Sequence, residues 1–148
     1  MIFIIIIVFV CFLDQLTKFL VTKTLLLNQS QPIIKGVLHF TLIHNRGAAF
    51  GILKNQINLF IFTSIAAIIL IYFNLKNSKN KEPSLYSASL SLILAGALGN
   101  LIDRLFLGYV VDFLDFRIWP VFNIADSAIT IGAIFLGWSI LKSKKVQS

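Results

Sequence analysis

The chain begins with an apolar run, IFIIIIVFVCFLDQLTKFLV at residues 2–21, which is as long as the roughly 20 residues an α-helix needs to cross a bilayer. Three more apolar segments follow, at Ile57–Leu75, Leu85–Leu107 and Val121–Leu141. The 148-residue chain is 57% hydrophobic and 13% charged, which is more apolar surface than a soluble domain of this length can bury. The sequence therefore predicts one all-α polytopic membrane domain, residues 1–148, with four transmembrane helices.

The first run differs from a cleavable signal peptide. No basic residue precedes Ile2 and no small-x-small site follows Leu13, so we expect a retained span. The single cysteine, Cys11, lies inside this run, which predicts neither a disulfide nor a thiolate metal cluster. The net charge of +7 is typical of lysines that flank spans and face anionic lipid head groups, so we expect membrane lipids and no nucleic acid as partners.

The distribution of lysines predicts the orientation of the spans. The link at residues 76–83 and the tail from residue 142 together hold six lysines in 15 residues. The connection between the first two spans has four basic residues in about 35. Since positive charge marks the cytoplasmic side, both termini are expected in the cytoplasm, and the first and third connections outside.

Both outer connections contain strand-like segments. Leu38, Phe40 and Leu42 alternate along Val37–Ile43, and Tyr109–Phe116 is rich in β-branched and aromatic residues. We expect these two segments to form a small extracytoplasmic sheet.

Polar residues within spans one, three and four and directly before span two are expected at one depth, near the outer leaflet. They are Asp14 and Lys18 in span one, Asn45 and Arg46 before span two, Asn100, Asp103 and Arg104 in span three, and Asn123 and Asp126 in span four. Spacings of three and four residues put the polar residues of spans one, three and four on one face of each helix. Ionisable groups within a membrane are costly and usually mark a functional site, so the pattern predicts one site between the helices. The alternative is that these residues only hold helices together.

Small residues accompany this set. Ala95, Gly96, Ala97 and Gly99 would let span three approach its neighbours closely. The segment from Gly47 to Gly51, beside Asn45, could bring backbone amides to a bound chain, or it could be an ordinary tight turn.

The residue types at the site favour carboxylate chemistry. His39 and His44 lie on the first outer connection without an HExxH motif or a cysteine cluster, so neither a metal nor another cofactor is expected. Ser127 has no nearby histidine base and no G-x-S-x-G motif. Two aspartates that share one proton, by contrast, can activate a water directly.

Three aspartate pairs are candidates for this role. Asp112 follows the end of span three and Asp126 begins span four, so the connection between them can fold back and bring them together. The pairs Asp103 with Asp126 and Asp112 with Asp115 remain open. Asp103 shares a face with Asn100 and precedes Arg104, which favours a structural network for Asp103. Asp115 is an odd number of residues from Asp112, so in a strand it points to the opposite face.

Five segments of this chain resemble the lipoprotein signal peptidases, or signal peptidase II. They are DQLTK at 14–18, NRGAAF at 45–50, GALGNLIDR at 96–104, VVDFLDF at 110–116 and FNIADSAI at 122–129. The segments occur in the order of that family, and the four-span layout covers essentially the whole chain.

The resemblance implies an intramembrane aspartyl endopeptidase of the bacterial cytoplasmic (inner) membrane, with its active site towards the outer leaflet. The catalytic pair implied is Asp112 and Asp126. The substrate implied is a diacylglyceryl-modified prolipoprotein, cut just before its lipidated cysteine, and a globomycin-like cyclic peptide is the implied inhibitor. The residues implied in substrate binding and support of the pair are Asp14, Lys18, Asn45, Gly47, Asn100, Asp103, Arg104 and Asn123.

Two other classes of function remain as alternatives. A small transporter or proton relay would also use intramembrane carboxylates, but it needs polar residues through the inner half of the membrane, where spans one and four are apolar. An assembly factor for other membrane proteins would use the polar residues only as contacts between helices.

Overall fold

Four long helices form the body of the part of the chain that the structure describes. The computed structural model describes residues 2–47, 56–77 and 85–147. Helices α1 (Ile2–Thr24), α2 (Ile57–Asn77), α3 (Leu85–Phe106) and α4 (Ile124–Gln147) are each long and apolar enough to cross a membrane. The predicted four-helix architecture is therefore confirmed.

Helix α4 begins at residue 124, three residues later than the sequence predicted. Phe122 is held in a β-bridge to Leu114, with hydrogen bonds in both directions between their backbones. The side chain of Asn123 then accepts a hydrogen bond of 2.8 Å from the N–H of Asp126, which is the geometry of a helix N-cap. The backbone before Asn123 is used by the sheet and is not available to the helix.

Strands β1 (Ser30–Ile34), β2 (Leu38–Asn45) and β3 (Val110–Asp115) form an antiparallel sheet in the order β1-β2-β3. The two predicted strands are present, with shifted ends, and β1 was not predicted. All five residues of β1 are exposed, so no alternation of buried and exposed residues marks it. Its Pro32 lies in an edge strand, where a missing N–H is tolerated.

The sheet packs against the C-terminal end of α1. Val21 of α1 is buried in one cluster with Leu42, Val111 and Phe113. This contact places the sheet at the end of the bundle where Asp14 and Lys18 lie.

Helix α3 contacts all three other helices. Glycines permit its close approach to α4, since a Cβ built on Gly96 would collide with the carbonyl oxygen of Ala125. On the opposing helix, a Cβ on Gly132 would lie 2.8 Å from the carbonyl oxygen of Ser89. Gly96, one of the small residues expected to bring span three close to its neighbours, therefore lies at a tight helix–helix contact.

Candidate active site

The polar residues meet at the end of the bundle that carries the sheet. Asp112 extends from the middle of β3 and Asp126 from the first turn of α4, and both line one cavity of about 250 Å³. The other polar or glycine residues lining this cavity are Asn45, Gly47, Asn100, Arg104 and Thr130. Four separate segments therefore contribute to a single site.

Asp112 is held by two asparagine amides. Asn45 Nδ2 donates to Asp112 Oδ2 at 2.9 Å, and Asn123 Nδ2 donates to Asp112 Oδ1 at 2.7 Å. The carboxyl group is almost completely buried. Burial, followed by the nearby charge of Asp126, raises the pKa of Asp112 to about 7, although both amides act in the opposite direction. Asp112 can therefore carry a proton near neutral pH.

Asp126 is held by the same amide network from the other side. Asn100 Nδ2 donates to Asp126 Oδ1 at 2.7 Å, and the backbone N–H of Asp126 donates to Asn123 Oδ1. Asn123 Nδ2 also lies 3.1 Å from Asn100 Oδ1. Asn100 and Asn123 thus connect the two carboxyl groups through hydrogen bonds.

The backbone of Gly47 sets the orientation of Asn45. Its N–H donates to Asn45 Oδ1 at 2.9 Å, which leaves the amide nitrogen of Asn45 directed at Asp112. The rest of the glycine-containing segment that the sequence analysis singled out, residues 48–51, lies outside the described residues.

A buried ion cluster adjoins the two carboxyl groups. Lys18 Nζ lies 2.8 Å from Asp14 Oδ2, 2.9 Å from Asp103 Oδ2 and 3.2 Å from Asn100 Oδ1. The expected pairing of Asp14 with Lys18 is present, and Asp103 belongs to the same network. The amide of Gln15 also bridges Asp14 and Asp103, at 3.1 and 3.0 Å. Sequence reasoning missed Gln15, because a neutral side chain next to Asp14 gives no charge signal.

Arg104 connects the cavity to α2. Its guanidinium carbon lies 5.1 Å from the centre of the Phe60 ring, within range of a cation–π contact. Its Nη1 also lies 3.4 Å from the carbonyl oxygen of Asn100, and the side chain is part of the cavity wall.

Asp115 belongs to a different network. Its Oδ2 accepts from Thr41 Oγ1 at 2.7 Å and from Arg117 Nη1 at 2.9 Å, while its Oδ1 accepts from the Arg117 backbone N–H. Burial alone would raise the pKa of Asp115, but these hydrogen bonds and the Arg117 charge lower it overall. The structure therefore brings Asp112 and Asp126 to one cavity and leaves Asp115 apart.

A larger apolar cavity of about 600 Å³ adjoins the polar one. Trp119, Phe122, Asp126 and Thr130 line both. Its other walls are Phe116, Ile118, Ser127 and Ile131. The carboxyl group of Asp126 therefore lies at the boundary between a polar and an apolar space.

The histidines are not part of either cavity. His44 stacks on Tyr109 at 3.9 Å between ring centres, and His39 Nδ1 lies 3.0 Å from Ser30 Oγ. Within residues 2–47, 56–77 and 85–147, no three histidine, cysteine or acidic side chains are grouped as metal ligands would be.

A bundle of helices long and apolar enough to cross a membrane, with two aspartate carboxyl groups on one cavity, is the arrangement of an intramembrane aspartic peptidase. The model for the signal peptidase (SPase) II family matches residues 6–142. The lipoprotein signal peptidase of Caldanaerobacter subterraneus subsp. tengcongensis is 52% identical over 140 residues, which cover 93% of this chain and 94% of that protein. The lipoprotein signal peptidase of Halothermothrix orenii is 48% identical over 144 residues, with 96% and 97% covered.

Solved structures agree with this result. A bacterial membrane enzyme determined by the in meso method at 2.3 Å resolution superimposes with a TM-score of 0.92 at 37% identity, covering 99% of this chain and 91% of that one. A second bacterial membrane enzyme, at 1.9 Å resolution, gives a TM-score of 0.84 at 40% identity, with 95% and 92% covered. This chain belongs to the signal peptidase II family of aspartic peptidases.

Proposed function

We propose that this protein removes the signal peptide from diacylglyceryl-modified prolipoproteins by cleaving the peptide bond before the lipidated cysteine. The observation that carries the proposal is that Asp112 and Asp126 line one cavity and are connected through Asn100 and Asn123. Family membership supplies the substrate class. An assembly factor would leave this coupled pair without a chemical role.

In the proposed reaction the two aspartates have different roles. Asp126, ionised and stabilised by the Asn100 amide, takes a proton from a water that attacks the scissile carbonyl carbon. Asp112, protonated because its pKa is about 7, donates a hydrogen bond to the carbonyl oxygen. As the C–N bond breaks, the proton held by Asp126 passes to the leaving amine, and water has added one hydroxyl and one hydrogen across the bond.

The neighbouring surfaces are suited to a lipidated peptide. The apolar cavity beside Asp126 can hold an apolar part of the substrate, and this binding would position the scissile bond at the two carboxyl groups. Arg104 and Asn45 present N–H groups to the polar cavity, where they can bind the substrate backbone.

We place both termini in the cytoplasm and the two cavities at the outer leaflet of the bacterial cytoplasmic membrane. Asn100 and Asp103 lie in the C-terminal part of α3 and Asp126 lies in the first turn of α4, so the site lies towards one end of the bundle. Lys76, in the last turn of α2, and Lys142, in the C-terminal part of α4, lie towards the other end.

Cleavage of a purified substrate tests the reaction. A diacylated prolipoprotein is offered to the detergent-solubilised protein, and to its Asp112→Asn, Asp126→Asn and Asp115→Asn variants. We expect cut product from wild type and Asp115→Asn, and none from the other two. Normal cleavage by either Asp112→Asn or Asp126→Asn would overturn the assignment of the pair.

Cysteine labelling tests the orientation. In a Cys11→Ser background, Gln31→Cys on the exposed face of β1 should react with a membrane-impermeant maleimide in intact cells. Lys142→Cys, near the end of α4, should react only after lysis. The reverse pattern would overturn the orientation without affecting the reaction.

A further inference from the structure

Two aspartates outside the cavity wall each bind the backbone next to one member of the pair. Asp14 Oδ1 accepts a hydrogen bond of 2.9 Å from the N–H of Ala125, the residue just before Asp126. Asp103 Oδ2 accepts one of 3.0 Å from the N–H of Val111, the residue just before Asp112. Each of these carboxylates therefore determines where the main chain presents the next aspartate.

The same two carboxylates are joined to each other. Lys18 Nζ lies between them, at 2.8 Å from Asp14 and 2.9 Å from Asp103, and the Gln15 amide makes a second bridge. We call Asp14, Gln15, Lys18 and Asp103 the clamp. It is a continuous path from the backbone before Asp126 to the backbone before Asp112.

The clamp is buried and closely packed. Asp14, Lys18 and Asp103 are 0%, 3% and 3% exposed. A Cβ on Gly99 would lie 2.6 Å from Asp14 Oδ2, so α3 lacks a side chain at the point where this carboxylate sits. Direct charged contacts without intervening solvent hold their geometry more firmly than exposed ion pairs do.

We infer that the clamp is a positioning device that sets the separation and orientation of Asp112 and Asp126 without touching the substrate. This inference rests on the proposed function, because it assigns the clamp a part in the chemistry of that pair. It also explains why the clamp needs two carboxylates for one ammonium group: each carboxylate has a separate stretch of main chain to anchor. A displacement of about 1 Å between reacting groups can cost about 100-fold in rate.

The variants are chosen so that the fold survives. Asp14→Asn removes one negative charge and leaves Lys18 paired with Asp103, so no unpaired charge is buried. The triple variant Asp14→Asn/Lys18→Met/Asp103→Asn is neutral, retains an amide oxygen for each backbone N–H and removes the ammonium bridge. The matched control is Asp115→Asn, the same substitution in a buried aspartate that is ion-paired to Arg117 and bound by Thr41, outside the clamp.

The measurement separates kcat from KM for the diacylated substrate, at a temperature below the melting transition of every variant. We expect Asp14→Asn to lose about 10- to 100-fold in kcat with KM changed less than about threefold, because Asp14 lines neither cavity and acts only on the placement of the pair. The triple variant should lose at least as much kcat as Asp14→Asn, because it removes the ammonium bridge and its contact with Asn100 as well. Asp115→Asn should retain kcat.

Each other result has a definite meaning. If Asp14→Asn and the triple variant are folded and keep kcat within about twofold of wild type, the inference is wrong. It is also wrong if KM rises while kcat holds, because the cluster would then bind substrate. Should Asp14→Asn fail to fold, the triple variant decides alone. Failure of the proposed function looks different, because wild type and Asp115→Asn would then not cleave the substrate either.

Discussion

Asn123 Nδ2 lies 2.7 Å from Asp112 Oδ1, so the residue that caps α4 also holds the carboxyl group of β3. Its side chain is completely buried, and its oxygen and nitrogen serve the two aspartates separately. One side chain thus couples the start of α4 to a strand of the sheet.

This dual role predicts different effects for two substitutions of Asn123. Serine is also a good N-cap but has no amide to donate to Asp112, whereas alanine provides neither contact. We expect Asn123→Ser to retain most of the stability of α4 and Asn123→Ala to lose about 1 kcal/mol more. Both should lower kcat, and melting in detergent alongside the cleavage assay measures the two effects. Equal stability of the variants would show that capping by Asn123 is unimportant.

The pKa of Asp112 predicts an alkaline limit to activity. Since the proposed reaction needs Asp112 protonated, kcat should be half-maximal near pH 7 and fall about tenfold per unit above it. The Asn45 hydrogen bond lowers this pKa, so in Asn45→Leu the alkaline fall in kcat should occur at higher pH. Profiles of kcat against pH for wild type and Asn45→Leu check both predictions. A fall at lower pH in the variant would contradict the role of Asn45.

The stability of the folded protein should also depend on pH through Asp112. The pKa of Asp112 is higher in the folded protein than its ordinary value of 3.8, so the unfolded chain releases the Asp112 proton at a lower pH than the folded protein does. The stabilising contribution of protonated Asp112 is therefore fully present below about pH 4 and is lost as the pH rises through about 7. Compared with wild type, Asp112→Asn should become relatively more stable as pH rises over this range. Parallel melting curves at each pH provide the comparison, and a constant difference in stability would contradict the shift.

Packing around the clamp predicts that Gly99 tolerates no larger residue. A Cβ there would lie 2.6 Å from Asp14 Oδ2 and 3.3 Å from the Cβ of Ala125. Gly99→Ala should cost about 1 to 3 kcal/mol through overpacking. Gly137→Ala in α4 is the matched control, because a Cβ at that position meets nothing within 4 Å. If both variants melt at the same temperature, the space beside Asp14 is not limiting.

Asp115 should be the most tolerant of the three aspartates between residues 112 and 126. Its partner Arg117 is half exposed, so their ion pair contributes little to stability, about 0 to 1 kcal/mol. We expect Asp115→Asn to lower the melting temperature slightly and to leave kcat close to that of wild type. A loss of kcat comparable to that of Asp112→Asn would place Asp115 in the reaction.

Composition and spacing were sufficient to predict the helices and most of the residues that form the polar network. Apolar length predicts a span because the bilayer has a defined thickness, and α1 and α3 fall close to their predicted bounds. The pairing of Asp14 with Lys18 was predictable because residues four apart on a helix are neighbours. Strand β1 was not predictable, since a fully exposed edge strand depends on its pairing with β2 and has no hydrophobic pattern of its own.

The tertiary structure alone decided which residues from different segments meet. Asp103 binds the same ammonium group as Asp14, which is 89 residues away in the chain, and Asp112 meets Asn45 only because β2 and β3 are paired. Sequence spacing describes one helix face or one strand at a time, whereas these contacts depend on how closely glycines let the helices pack and on the register of the sheet. The residue types of the site were therefore determined locally, and their geometry was determined by packing.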